Sequence, residues 1–175
     1  AHKKVTIGIP HFKSDKATRA RTDMTELLNN DLDMSGFFVV APSSLFDREL
    51  LDEGIEKAET KFPNWRSIGI ELVCKARVVE TGGEVALEAY LYDTLDGSVL
   101  LAKRYRTKPN EWRKIVHRLA DDILLAVTGE KGIMDSRIIF VGGTTRNKDV
   151  YTASVDGTGV RRITSFRNIT VSPSV

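Results

Sequence analysis

The 175-residue chain holds three histidines and one cysteine, so few groups in it could carry chemistry. His2, His11 and His117 lie far apart, and none has a second histidine at i+3 or i+4 to form a metal-binding pair. His117 falls beside an apolar helical stripe and reads as a packing or surface residue. Asp121 and Asp122 are neighbours on the same helix, so they point about 100° apart and do not form a shared-proton dyad. Gly82-Gly83 and Gly142-Gly143 mark hairpins or strand ends, and neither sits in a phosphate-cradling motif. Ser43, Ser44, Ser67 and Ser98 lack the strand–turn–helix setting of a nucleophile elbow. The Asp93–Asp96 turn offers too few oxygens at the right spacing for calcium. Cys74 cannot form an internal disulfide alone, and its apolar strand context marks it as a buried core thiol. No catalytic residue, metal or cofactor is expected.

Two further groups could bind rather than react. Lys13, Lys16, Arg19 and Arg21 form a basic cluster near a helix start, where the helix dipole favours acids instead. A solvated loop and first turn is the simpler reading, and an acidic partner surface is the alternative. Trp65 and Trp112 each open a helical element and read as core anchors.

The elements that would position these groups follow from periodicity. Val5–Ile9 alternates as a strand that Pro10 ends. Met24, Leu27, Leu28 and Leu32 fall at helical spacing, with Gly36 as a C-terminal cap. Phe37–Ala41 is almost wholly apolar, which predicts a central strand covered on both faces. Pro42-Ser43-Ser44 predicts a helix start capped by Ser43 or Ser44 ahead of Leu45, Phe46, Leu50 and Leu51. A second, charged helix is predicted over Glu53–Lys61, closed by Pro63, and then a short helical turn at Asn64–Ser67. Ile68–Val79, Val85–Tyr92 and Val99–Tyr105 form a three-stranded meander with turns at Thr81–Glu84 and Asp96-Gly97. Trp112, Ile115, Val116, Leu119, Ile123 and Val127 line one stripe of a long helix that Gly129 closes. The order β-α-β-α-β-β-β-α predicts a mixed sheet with packed helices, an α/β (α+β) domain over residues 1–135.

The last forty residues change character. Ser136–Gly143, Asp149–Val155 and a strand after the Asp156-Gly157 turn read as short strands joined by tight turns. The chain then runs through Asn168–Val171 into Ser172-Pro173. That spacing is one β-propeller blade, so residues 136–175 are expected to be a single truncated blade and the chain a fragment of something longer.

Composition narrows the class. The chain is 41% hydrophobic and 29% charged, as soluble globular proteins are, and no apolar run approaches the roughly 20 residues a bilayer span needs. A net charge of +2 with interspersed acids is too mild to imply a nucleic-acid partner. The opening Ala1-His2-Lys3-Lys4 lacks the apolar core of a signal peptide, which is expected to be absent from the mature chain.

Several phrases in order resemble the TolB family, the periplasmic β-propeller proteins of the Tol–Pal cell-envelope system. They are Ile7–Pro10 through Asp31–Phe38; Trp65–Val73 leading to Ala89–Asp93; Ala120–Ile123 and Thr128–Gly132 leading to Arg137–Val141; and Asp156-Gly157, Arg162–Thr164 and Ser172-Pro173. The resemblance implies a non-enzymatic periplasmic scaffold with an anticodon-binding-domain-like N-terminal domain. It also implies protein partners: the lipoprotein Pal on the propeller and TolA on an N-terminal tail, in a system that maintains outer-membrane integrity and supports division. Only His2, Lys3 and Lys4 stand where that tail would be. Most of the propeller is absent, so no Pal-contacting residue is assigned. The alternative reading, from the domain resemblance, is a nucleic-acid-binding module; it lacks interleaved basic and aromatic residues. No nucleic acid and no small-molecule substrate are expected.

Overall fold

The computed structural model describes residues 3–16, 19–144 and 148–165. The chain divides into two compact units, Ala1–Gly132 and Ile133–Val175. In the first, strand β1 (Val5–Gly8) is followed by a two-residue strand β2 (Lys13–Ser14), helix α1 (Arg19–Met34) and strand β3 (Phe38–Val40). Short helices α2 (Arg48–Asp52) and α3 (Phe62–Ser67) lead into the meander β4 (Leu72–Thr81), β5 (Glu84–Asp93) and β6 (Val99–Thr107), and helix α4 (Trp112–Thr128) closes the unit. The sheet runs β3-β1-β4-β5-β6, with β2 attached beside β4. It is mixed: β1 pairs parallel with both β3 and β4, whereas β4–β5–β6 is antiparallel.

Alternation along the strands assigns the two faces. Val85, Leu87, Ala89 and Leu91 are all buried on one face of β5, and Leu87 is in register with Tyr105, whose hydroxyl donates to Asp122 of α4 at 2.6 Å. Helices α1 and α4 therefore cover this face, packed on each other. Gly129 adopts the left-handed conformation (φ 76°) and its N–H caps the Leu125 carbonyl, ending α4 as the sequence predicts. On the opposite face, the segment between β3 and β4 folds down as a strap. Its Phe46, Leu50, Trp65 and Ile70 form one buried cluster with Val73 and Tyr92 of the sheet. Gly8 is needed here: a Cβ would meet Ile70, Trp65 and Phe46 at 3.1–3.4 Å.

Four sequence expectations change. Phe38–Val40 is an edge strand rather than a central one, and Val39, on the face away from Phe38 and Val40, is 48% exposed. An apolar run shows what a strand can bury but not where it stands in the sheet. The helix after it is capped by Asp47, whose side chain accepts from the Leu50 N–H at 2.9 Å, because Ser43–Leu45 is a separate 3-10 turn. Residues 53–61 are not a helix; they hold only a 3-10 turn at Lys57–Glu59, and Pro63 opens α3 rather than closing its predecessor. The meander strand begins at Leu72, because Ile68 and Gly69 are used to end α3. Strand β2 had no signal at two residues' length.

The reason 53–61 is not helical is tertiary. Glu53 is buried and accepts three donors: the Lys75 ammonium from the middle of β4, the Trp65 indole N–H (2.8 Å) and the Lys61 backbone N–H (2.9 Å). Lys75 also donates to the Gly54 carbonyl at 3.0 Å and lies over the Trp65 ring, 5.6 Å from its centroid. The Tyr92 hydroxyl donates to the Ile55 carbonyl at 2.7 Å, and burial pushes its pKa up. A helical Gly54-Ile55 would have turned these carbonyls back into its own ladder. Across the sheet, His117 Nδ1 of α4 lies 2.6 Å from Asp31 Oδ2 of α1, both side chains buried, clasping the two helices.

The second unit is an antiparallel meander of β7 (Arg137–Gly143), β8 (Lys148–Ser154) and β9 (Arg161–Arg162). Gly157 takes the positive φ (80°) that the Asp156-Gly157 turn requires. The buried Asp149 carboxylate accepts from the Arg162 guanidinium and from the Thr164 hydroxyl (3.0 Å), tying β8 to the segment from β9 to Thr164. The expected continuation through Asn168–Val171 to Ser172-Pro173 lies outside the described residues.

Two outcomes are expected. Glu53→Gln leaves the Lys75 ammonium buried without its carboxylate and should destabilise the unit by about 3 kcal/mol in urea unfolding, while Glu53→Gln combined with Lys75→Met should recover most of that loss. Burial pushes the Cys74 thiol up from 9.0 to about 12. The native thiol should resist alkylation at pH 8 and react on unfolding. Because the folded-state pKa is the higher one, this contribution to stability is complete below pH 9.0 and should be lost progressively as the pH rises towards 12.

Candidate interaction site

The groups that could react are dispersed or enclosed. Cys74 is buried on the helix-covered face. His117 is held against Asp31 in the core, whereas His11 is exposed on the loop after β1. Asp122 is occupied by Tyr105 and by Lys103 at 3.0 Å; burial first, and then the contact with Asp122, pushes the Tyr105 phenol pKa up. Among the described residues no group of three His, Cys, Asp or Glu side chains could hold a metal ion. No helix among them is long and apolar enough to cross a membrane.

The basic cluster does not form a single patch. Lys13 turns inwards and donates to the Leu51 carbonyl of the strap, whereas Lys16 is exposed. The Arg19 side chain lies outside the described residues. Trp65 is fully buried, as an anchor should be, while Trp112 is half-buried beside Arg113, 5.2 Å from the ring centroid.

The sequence assigned partner binding to His2, Lys3 and Lys4. His2 lies outside the described residues, and Lys3 and Lys4 are exposed just ahead of β1. The Lys3 ammonium is 3.7 Å from Glu71 Oε1 and its side chain is 88% exposed, so the pair is loosely held. Glu71 is fixed from the other side: its Oε2 accepts the Thr6 N–H at 2.9 Å, and its own N–H donates to the Thr6 carbonyl at 3.0 Å. Lys3 and Lys4 thus lead into β1, an interior strand of the sheet, at the end of the sheet beside an anchored carboxylate. The sequence reading missed Glu71, which it took as one residue of the predicted Ile68–Val79 strand; the structure leaves it just ahead of β4. It also missed Glu53 and Lys75, taken as a helix surface and a strand residue.

Comparison with known proteins places this architecture. The family model for the TolB amino-terminal domain matches residues 1–100. The Tol-Pal system protein TolB of Geobacter sulfurreducens is 36% identical over 161 residues, covering 91% of this chain and 36% of the relative. The corresponding protein of Desulfosudis oleivorans is 29% identical over 175 residues, covering 98% of this chain and 40% of the relative. The crystal structure of TolB from Acinetobacter baumannii matches with a TM-score of 0.82 at 22% identity, over 98% of this chain and 41% of that one, a likeness of fold. The chain thus spans well under half the length of the relatives it matches. With the first 100 of its 175 residues matched by that family model, the chain belongs to the TolB amino-terminal domain family.

Proposed function

We propose that the chain is a non-enzymatic interaction module of the Tol–Pal trans-envelope system, acting in the periplasm to support outer-membrane integrity and cell division. The observation that carries this reading is the family match over residues 1–100, joined to relatives that are named Tol-Pal system proteins.

In this reading residues 1–135 are the N-terminal domain and residues 136–175 the first blade of a propeller. The blade is supported by the antiparallel β7-β8-β9 order and by Ile138, Ile139, Val160 and Ile163, which leave apolar surface exposed on this small sheet. Neighbouring blades would bury such faces. Pal would bind the propeller of the longer protein, and TolA would bind the tail that includes His2, Lys3 and Lys4. The modest net charge does not favour nucleic acid.

The test is calorimetric titration of the protein with the soluble domains of TolA and Pal. TolA is expected to bind, and charge reversal by Lys3→Glu with Lys4→Glu should weaken it about tenfold, with an effect that shrinks at high salt. Absence of binding to both domains, together with micromolar, salt-sensitive binding to single-stranded RNA, would replace this reading with the nucleic-acid one.

A further inference from the structure

A groove of about 550 Å³ opens at the end of the sheet where β1 and β4 begin, β5 ends and α4 terminates. We propose that it docks an extended apolar segment of a protein partner carrying a lysine or arginine. The inference rests on the reading of this chain as an interaction module and adds a second contact surface, with its chemistry, beyond the tail.

Three observations define the occupant. The floor is apolar, built by Leu72, Leu100 and Val127, and on the rim Leu95 stands 70% exposed. Leu100 is itself 39% exposed, so the first unit leaves large aliphatic side chains around a concavity of the size that ligands and peptide side chains fill. The polar rim is mainly negative: Glu71 and Asp93 line the groove together with the last turn of α4. That turn has no basic residue, so no side-chain cation on it offsets the negative end of the helix dipole. Among the lining residues Arg66 is the one cation, and it leans on the Leu95 carbonyl at 3.4 Å. Finally, the Lys3 ammonium lies 3.7 Å from Glu71 Oε1, a loose pair that puts a cation within reach of the rim.

These features choose between occupants. The leader reaches Glu71 through Lys3, but with an 88% exposed side chain and with Leu95 uncovered it does not fill the floor. A second copy pairing groove to groove would bring together two rims that each hold two carboxylates, Glu71 and Asp93, against one cation, Arg66, an excess of like charge. A partner strand with aliphatic side chains and one central cation satisfies both the floor and the rim.

The test titrates the protein, by amide-resolved NMR, with short soluble peptides of one leucine–valine frame. Their central residue is lysine, arginine, serine or glutamate. The lysine and arginine peptides are expected to bind, shifting the amides of Thr94, Leu95, Leu100 and Val127. The glutamate peptide should be about tenfold weaker or silent. Leu95→Ser, at an exposed position that should not affect folding, should weaken binding several-fold, on the order expected for loss of one buried aliphatic contact. Glu71→Gln, which keeps an acceptor for the Thr6 N–H, should erase the preference for the cationic peptides. Absence of binding, or shifts located elsewhere, overturns the proposal even where TolA binds the tail; peptide binding without TolA binding overturns only the Tol–Pal reading. Binding that tightens more than about tenfold when Ala1–Lys4 is removed would make the leader the occupant, and concentration-dependent doubling of mass that blocks the groove would make it a second copy. Either result also overturns the proposal.

Discussion

A lysine in the middle of a core strand constrains everything around it. Lys75 is 2% exposed, on the face of the sheet opposite the helices, and desolvation pulls its pKa below that of a free lysine. The charge is tolerable there only with a carboxylate and a carbonyl in direct contact. Glu53 and Gly54 supply both, but only if the segment from residue 53 to residue 61 stays extended enough to present them. The same Glu53 holds the Trp65 indole N–H, and Trp65 is the largest side chain of the cluster that covers this face. The polar knot therefore fixes the path of the strap, and the strap closes the second layer of the domain.

The two faces of the sheet are closed by different means. On the helix side, α1 and α4 present continuous apolar stripes, with the Asp31–His117 contact and the Tyr105–Asp122 bond setting how they register against each other and against the sheet. On the strap side there is little regular structure, so backbone carbonyls are satisfied by side chains from the sheet and from the turn after β5, as with Tyr92 on Ile55 and Thr94 on Ile70 (2.7 Å). A face covered by a strap leaves the ends of the strands less enclosed than a face covered by long helices. The groove beside Glu71 and the basic residues Lys3 and Lys4 both lie at such an end.

Much of the architecture is local and was legible. The α4 stripe, its Gly129 stop, the three long meander strands and the turns at Gly82-Gly83 and Gly97 all depend on residues within a few positions of one another. Turn glycines with positive φ and periodic apolar positions act through the same local sterics in any fold. The family likeness was legible for a related reason: it rests on ordered short phrases, each tied to a local element. The candidate tail was reached only through that likeness, since Lys3 and Lys4 carry no pattern of their own.

What the chain by itself determined was therefore the kind and sequence of its elements, because propensity, periodicity and turn chemistry are short-range. Only the tertiary structure decided which charges would be buried and which strand would stand at the edge. Glu53 meets Lys75 across 22 residues and Asp31 meets His117 across 86, contacts that exist only once the sheet has closed and the helices have packed. Before closure Glu53 is one more acid in a charged stretch, and Phe37–Ala41 is an apolar run that would suit any position in a sheet. Long-range packing chose the edge for it, the strap for residues 53–61, and the open ends of the strands beside Glu71.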